Sequence, residues 1–287
     1  MLMIFGLLFT CVMVLGAYML GGGNLQVILA ALPMEIGIIG GSAVGSFLVA
    51  NKMHVIKSTL KDILISFKGN QYKRKDYEAV LLLLYDITKR AKTKGVLTLE
   101  AHVENPRGSA IFKSYPSVLT NSRILELICD TFRVISLNVD NPMQIEEVID
   151  KKIRKIEHEL LASSHALQVV ADGLPALGIV AAVLGVIKTM ASIDQPPPVL
   201  GKMIGGALVG TFLGVFLAYC VASPLANKIK SIYEQDMHLY FVVRDVIISY
   251  LYGNSPQVAV EMGRANIPTE YQPSFVELEK QLQKESE

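Results

Sequence analysis

Four long apolar stretches, at roughly 1–20, 28–50, 167–190 and 203–226, contain only two carboxylates between them, Glu35 and Asp172. A group that carries a proton or an ion through a bilayer must be ionisable or polar and must stand near the midplane. Both carboxylates are read as lying nearer a span end than the middle. The chain is therefore expected to lack a midplane acid, and an ion path along it would need that group from a partner. Three other residues could shape such a path. Thr211 puts a hydroxyl inside an apolar run, either facing an ion route or bonded to the carbonyl of the preceding turn. Pro175 follows Asp172-Gly173-Leu174, so a helix break stands beside a carboxylate, and Pro224 closes the fourth stretch. Proline removes a backbone N–H, frees a carbonyl and permits a kink. The pairing of Pro175 with Asp172 reads as a hinge.

Other chemistries find little support. Cys11, Cys129 and Cys220 are scattered, and the five histidines show no metal-ligand spacing. There is no phosphate-binding glycine loop, nucleophile elbow or zinc motif. The chain is expected to be no enzyme, to hold no cofactor or metal, and to bind no nucleic acid. Cys129 falls in a charged block and reads as a reduced thiol.

The elements that must position these residues are helices. Each apolar stretch approaches or exceeds the ~20 residues a bilayer core requires. The chain is 51% hydrophobic and 18% charged, with a formal net charge of +1 and a mean hydropathy of +0.41. Of 27 Lys and Arg, 19 lie in 51–165 and 6 in 227–287, leaving only Lys188 and Lys202 elsewhere. The positive-inside rule places that basic excess in the cytoplasm, with both termini. Residues 21–27 and about 191–202 are then short outer loops, the second stiffened by Pro196, Pro197 and Pro198. The first stretch lacks a basic lead and runs through Gly21-Gly22-Gly23 into another span, which argues against a cleaved signal.

The predicted fold is an all-α membrane protein: four transmembrane helices with a helical cytoplasmic domain between spans 2 and 3. Its parts are 1–50 (spans 1 and 2), 51–166 (cytoplasmic block), 167–226 (spans 3 and 4) and 227–287 (C-terminal helix and tail). Helical spacing of apolar residues recurs at 55–64, 78–88 and 123–137. Segment 143–163 is amphipathic and should run into span 3 as one helix, and span 4 should continue through Lys228 to about Tyr252. Asn105-Pro106-Arg107-Gly108 and Asn141-Pro142 are turns. From Gly253 onward the chain reads as looser, with Glu285 to Glu287 disordered. No strand pattern emerges.

Small residues recur every four positions in span 2 (Gly37, Gly41, Gly45) and span 4 (Gly206, Gly210, Gly214). Gly178, Ala182 and Gly185 do similar service in span 3. Such faces let helices approach closely. Three of them exceed what one four-helix unit needs, so contacts with further chains are expected, with Gly210 as a place to test them.

Several runs are similar to the MotA family of flagellar motor stator proteins, within the MotA/TolQ/ExbB group. They are Gly173-Leu174-Pro175-Ala176-Leu177-Gly178 through Gly185-Val186, Val209-Gly210-Thr211-Phe212-Leu213-Gly214 through Tyr219 to Ala226, Thr98-Leu99-Glu100 with Glu104-Asn105-Pro106-Arg107, Ile111-Phe112 to Tyr115-Pro116, and Pro273 to Glu279. The resemblance covers almost the whole chain, in order. It implies a homo-oligomeric ring, a pentamer, around a dimer of a MotB-like subunit that is anchored to peptidoglycan and carries the titrating Asp. Ion flow would protonate and release that Asp, shift the ring and push the rotor protein FliG. A charge crossing the full potential releases roughly 2.3 kcal/mol per 100 mV, enough to bias packed states a few kcal/mol apart.

The resemblance also implies roles for residues. Pro175 and Pro224 match the two functional prolines. Thr211 matches the hydroxyl at the ion site, and Asp172 and Tyr219 match positions along the same path. Glu100 matches an acidic rotor contact. The basic partner position falls on Lys92, with Arg90 and Lys94 close by, and any of the three is open, as is a solvated helix face. Sodium-driven relatives carry Thr where this chain has Ala182. Alanine offers no oxygen ligand, so the ion is expected to be H⁺. Lys151, Lys152, Arg154 and Lys155 depart from the more acidic run of familiar relatives and would suit anionic lipid headgroups. The expected location is the bacterial inner membrane. The other readings are an ExbB- or TolQ-like energising subunit, which usually has a different span arrangement, and a secondary transporter, which usually has more spans and its own midplane site.

Overall fold

The structure, a computed structural model, describes residues 2–137 and 141–284. It is helical throughout, with no strand among the described residues. Helices α1 (Leu2–Leu20), α2 (Leu25–Ala50) and α3 (Met53–Ser66) come first. They are followed by α4 (Arg74–Lys94), α5 (Glu100–Glu104), α6 (Ala110–Lys113), α7 (Pro116–Thr120) and α8 (Ser122–Ser136). Then come α9 (Pro142–Met190), α10 (Pro197–Phe216), α11 (Ser223–Asp236), α12 (His238–Leu251), α13 (Pro256–Arg264) and α14 (Phe275–Lys284). Residues 217–222, between α10 and α11, form a π-helical segment. Four helical stretches are long and apolar enough to cross a membrane.

The chain divides into two compact units. The first comprises 1–69 and 161–231. It has a small core of Ile39, Ala43, Leu174, Ala181, Leu213 and Ala218, contributed by α2, α9, α10 and the π segment. Most other apolar side chains of this unit face outward. Helix α1 has no buried residue, and Val49 is 91% exposed. An apolar surface on that scale fits lipid or a neighbouring chain, not water. Two of its enclosed polar side chains are bonded: Ser163 donates to Asp62 at 2.6 Å, and Ser164 to the Ala226 carbonyl at 3.0 Å.

The second unit comprises 70–160 and 232–287 and is built around α4, α8, α12 and α13. Every fourth or third residue of α8 is apolar, so Ile124, Leu125, Leu127, Ile128, Phe132 and Ile135 all bury on one side. Asn121 starts that helix by accepting the Ile124 N–H. Helix α4 stops at Gly95, whose φ of +85° suits a residue without Cβ.

Three expectations need correction here. Pro175 does not interrupt its span, because α9 runs unbroken for 49 residues through it. The ring costs one N–H, that of residue 175 itself. Burial of Leu174 and Ala181 on either side holds the turn. Likewise Pro224 does not close span 4, since α11 contains it. The segment beyond Gly253 is also more ordered than its composition suggested. Ser255 caps α13 by accepting the Val258 N–H, and Ala259 and Val260 are fully buried. Glu285 to Glu287 lie outside the described residues.

Candidate functional site in the membrane unit

The site residues of the first unit fall on α9 and on α10 with its π extension, except Pro224, which lies at the start of α11. Glycine sets how closely they pack. A Cβ built on Gly178 would lie 2.8 Å from the Gly210 carbonyl oxygen and 3.0 Å from Gly214 Cα. One on Gly185 would lie 2.6 Å from Ala207 Cβ. Backbone therefore meets backbone along this seam, and Gly178, Gly185, Gly210 and Gly214 are spent on packing within the chain. Gly37, Gly41 and Gly45 of α2 differ: a Cβ at any of them meets nothing within 4 Å. The small face left open is that of α2, and Gly210 is a poor place to test contacts between chains.

Pro175 is half-buried in the seam, one residue from Leu174, whose carbonyl would lie 2.7 Å from a Cβ on Gly214. Asp172 is exposed one turn away and accepts from Gln168 Nε2 at 2.8 Å. The same Gln168 accepts from Ser223 Oγ at 3.3 Å, just before Pro224. The neighbourhoods of the two prolines are thus adjacent across the α9–α10 pair. The π segment has a physical cause in Pro224. Without an N–H it cannot bond the Cys220 carbonyl one turn back, and the helix widens just before it. Tyr219 stands on that widened turn, 67% exposed. Thr211 is half-buried, and its hydroxyl makes no hydrogen bond among the described residues, unlike Thr189, which donates to the Gly185 carbonyl at 2.9 Å. The back-bonded reading of Thr211 is therefore withdrawn.

Sequence reasoning misplaced one group. Glu35 is the eleventh of the 26 residues of α2, within about 4 Å of the helix midpoint at 1.5 Å per residue. The span begins earlier than its hydropathy suggested because Asn24 caps it, accepting the Gln26 N–H at 2.9 Å, and the added turn moves the centre toward Glu35. Glu35 is 3% exposed, and its Oε2 has no hydrogen-bond partner. A Cβ on Gly210 would lie 2.5 Å from that oxygen, 3.1 Å from Ala181 Cβ and 3.2 Å from the Ala182 nitrogen. Ala181 and the Ala182 backbone thus lie beside Gly210, next to the Glu35 carboxylate. The available signal was the four-residue glycine repeat through Gly210, which leaves room for a larger group opposite.

The rotor residues expected from sequence lie in the second unit. Arg90, Lys92 and Lys94 occupy the last turns of α4, and Glu100 opens α5; all four are exposed. Gly95 and a 3₁₀ turn with buried Leu99 connect them, so the two charge signs sit on one short bend. Lys92 is engaged, its Nζ lying 3.4 and 3.3 Å from the Gly253 and Asn254 carbonyls beyond α12. The basic cluster of 151–155 is largely paired: Lys151 with Glu147, Lys152 with Asp130 and Lys155 with Glu159. Headgroups would have to compete with those carboxylates. Burial pushes the Cys129 thiol up to about 11, as a reduced, inert thiol requires. Among the described residues no group of His, Cys, Asp and Glu is placed to hold a metal.

Family models match two regions: the motility protein A N-terminal region over 4–95, and the MotA/TolQ/ExbB proton channel family over 121–240. The chain is 38% identical to motility protein A of Salmonella typhimurium and 39% identical to that of Escherichia coli. Each match covers 98% of this chain and 95% of the relative. It is 34% identical to chemotaxis protein LafT of Vibrio parahaemolyticus, over 96% of both. Two solved structures share the fold. A MotAB structure from C. jejuni has a TM-score of 0.71 at 20% identity, covering 93% of this chain and 96% of that one. The flagellar MotAB stator complex of Bacillus subtilis has a TM-score of 0.66 at 23% identity, covering 99% and 98%.

Proposed function

The chain belongs to the motility protein A family, and from that premise we propose that it is a stator subunit of the bacterial flagellar motor. It sits in the inner membrane with both termini in the cytoplasm. Several copies, five in our reading, surround a dimer of a MotB-like, peptidoglycan-anchored subunit. That partner brings the Asp whose protonation and release drive the cycle. Its helix meets the α9–α10 seam at the residues that leave a carbonyl or hydroxyl unspent: Pro175, Thr211 and Pro224, flanked by Ala182, Asp172 and Tyr219. The transported ion is H⁺, because Ala182 supplies no oxygen where a sodium ion would need a ligand. Torque passes to FliG through the bend bearing Arg90, Lys94 and Glu100. Lys92 contributes only after leaving the carbonyls of Gly253 and Asn254.

The observation that carries this reading is similarity to motility protein A along 98% of the chain, through both the span seam and the α4–α5 bend. An ExbB- or TolQ-like role finds no such full-length counterpart in these relatives. Deletion of the gene tests the proposal. Flagella should assemble and fail to rotate, with rotation restored by the intact gene and not by a Pro175→Leu form. Unaffected rotation in a cell with no second stator set would contradict it. A neighbouring gene for one N-terminal span, an Asp and a peptidoglycan-binding domain would agree.

A further inference from the structure

Above Glu35 lies a cavity of about 420 Å³, open at the end of the bundle that carries the Gly21–Gly23 and Pro196–Pro198 turns. Its walls come from three helices. Glu35 and Ala31 line it from α2, Gly185 from α9, and Gly206 and Ala207 from α10, with Asn24, Lys188 and Lys202 toward the mouth. Small residues on α9 and α10 keep it wide enough for water, and its polar mouth would wet it. The carboxylate at its inner end is 97% enclosed and has one oxygen unpartnered. A buried ionised carboxylate without a partner is costly, so a group in this position pairs, binds a proton or is selected against.

We propose that Glu35 is a second proton-exchanging carboxyl, belonging to this chain and fed from the outer face through that cavity. The step is balanced: a hydronium ion at the inner end of the cavity gives its proton to the Glu35 carboxylate, leaving water and a neutral acid. The reverse step returns the proton to water. The charged groups that line the cavity with it are Lys188 of α9 and Lys202 of α10, both toward the mouth. These cations disfavour a resident metal ion, which leaves the proton as ligand. Asp172 stands ten residues inward of Ala182 on α9, about 15 Å along the helix, and is exposed. It does not share the cavity.

Proton uptake at Glu35 goes beyond the stator reading in placing a protonation site in every subunit of the ring, and it rests on that reading only for which face is the outer one. The cavity does not amount to a pore. Inward of Glu35, α9 and α10 pack backbone against backbone at Gly178, Gly210 and Gly214. The site can load a proton near the midplane and needs another group to take it further.

Infrared difference spectra test this on the complete complex with its MotB-like partner, reconstituted right side out in lipid vesicles. As the outer pH falls, a carboxylic-acid carbonyl band should grow at the expense of carboxylate bands. It should vanish in Glu35→Gln, which keeps the shape, and persist at a shifted frequency in Glu35→Asp. A band set unchanged in Glu35→Gln, or a Glu35 signal that ignores outer pH, overturns the proposal. Should the Gln form not accumulate, Glu35→Asp decides: a band whose frequency does not shift in that variant overturns the proposal. The readout needs no torque. A complex that loads Glu35 yet passes no proton current would refute the stator reading alone.

Discussion

Glu35 shows why a carboxylate's place cannot be read from hydropathy alone. Its distance from a span end depends on where the span begins, and a polar cap at Asn24 hid the first turn. Its enclosure depends on Gly210 of another helix, which no local window contains. Asp236 makes the same point in the second unit. It is 3% exposed, and burial pushes its carboxyl up to about 6 against the pull of the Tyr72 and Gln71 backbone N–H groups. With the folded value above the unfolded one, this residue's stabilising contribution is complete below pH ~4 and is lost as pH rises through ~6. The loss is about 3 kcal/mol at most. Thermal unfolding of the purified complex across that window should show a midpoint that falls with pH, and Asp236→Asn should flatten the slope; an equal slope in both would rule Asp236 out. Ala182 carries a simpler expectation. Swimming should persist when sodium is removed at constant proton-motive force, and arrest would mean a different ion.

The long helices were legible as elements because their apolar spacing is regular: the passage of 143–163 into span 3 as one helix is what α9 shows. What the two prolines do to their helices was not legible. A proline deletes one hydrogen bond wherever it falls, but packing decides whether the helix breaks, bends or widens. Around Pro175 it stays continuous, and before Pro224 it widens into the π turn that carries Tyr219. Pro224→Ala restores the missing donor and should shorten that turn. Motor speed should fall severalfold while the complex still assembles, and unchanged speed would separate the π turn from function. The glycine faces were visible as repeats, yet only the structure sorts them. Gly214→Leu should disrupt the chain itself, because its Cβ would press within 2.7 Å of Gly178 Cα, and overpacking of that kind costs about 1–3 kcal/mol or more. Gly41→Leu should leave the chain inserted and folded but break the ring, seen as loss of cross-linked oligomers. Intact oligomers would place the ring contact elsewhere.

At the scale of the whole molecule, segregation of charge and apolarity was enough to give the class: four spans and a helical block. The second unit's interior was less accessible, since the full burial of Phe112, Phe132, Val246 and Val260 comes only with tertiary packing. The C-terminal helices α13 and α14 were missed because a short, polar sequence needs a partner surface to become ordered. The candidate site was legible where it rests on residue type (prolines, a hydroxyl, an alanine) and illegible where it rests on the depth of an acid. The central claim is that this chain alone cannot complete a proton path: its own enclosed acid lies near the middle of α2, α9 and α10 pack backbone against backbone inward of it, and the next acceptor is proposed to come from another polypeptide. Proton flux into liposomes carrying either this chain alone or this chain with its MotB-like partner, freed of any channel-blocking segment, is the direct test. The account expects no flux above empty liposomes for the chain alone and clear flux for the pair. Strong flux from the chain alone would contradict it.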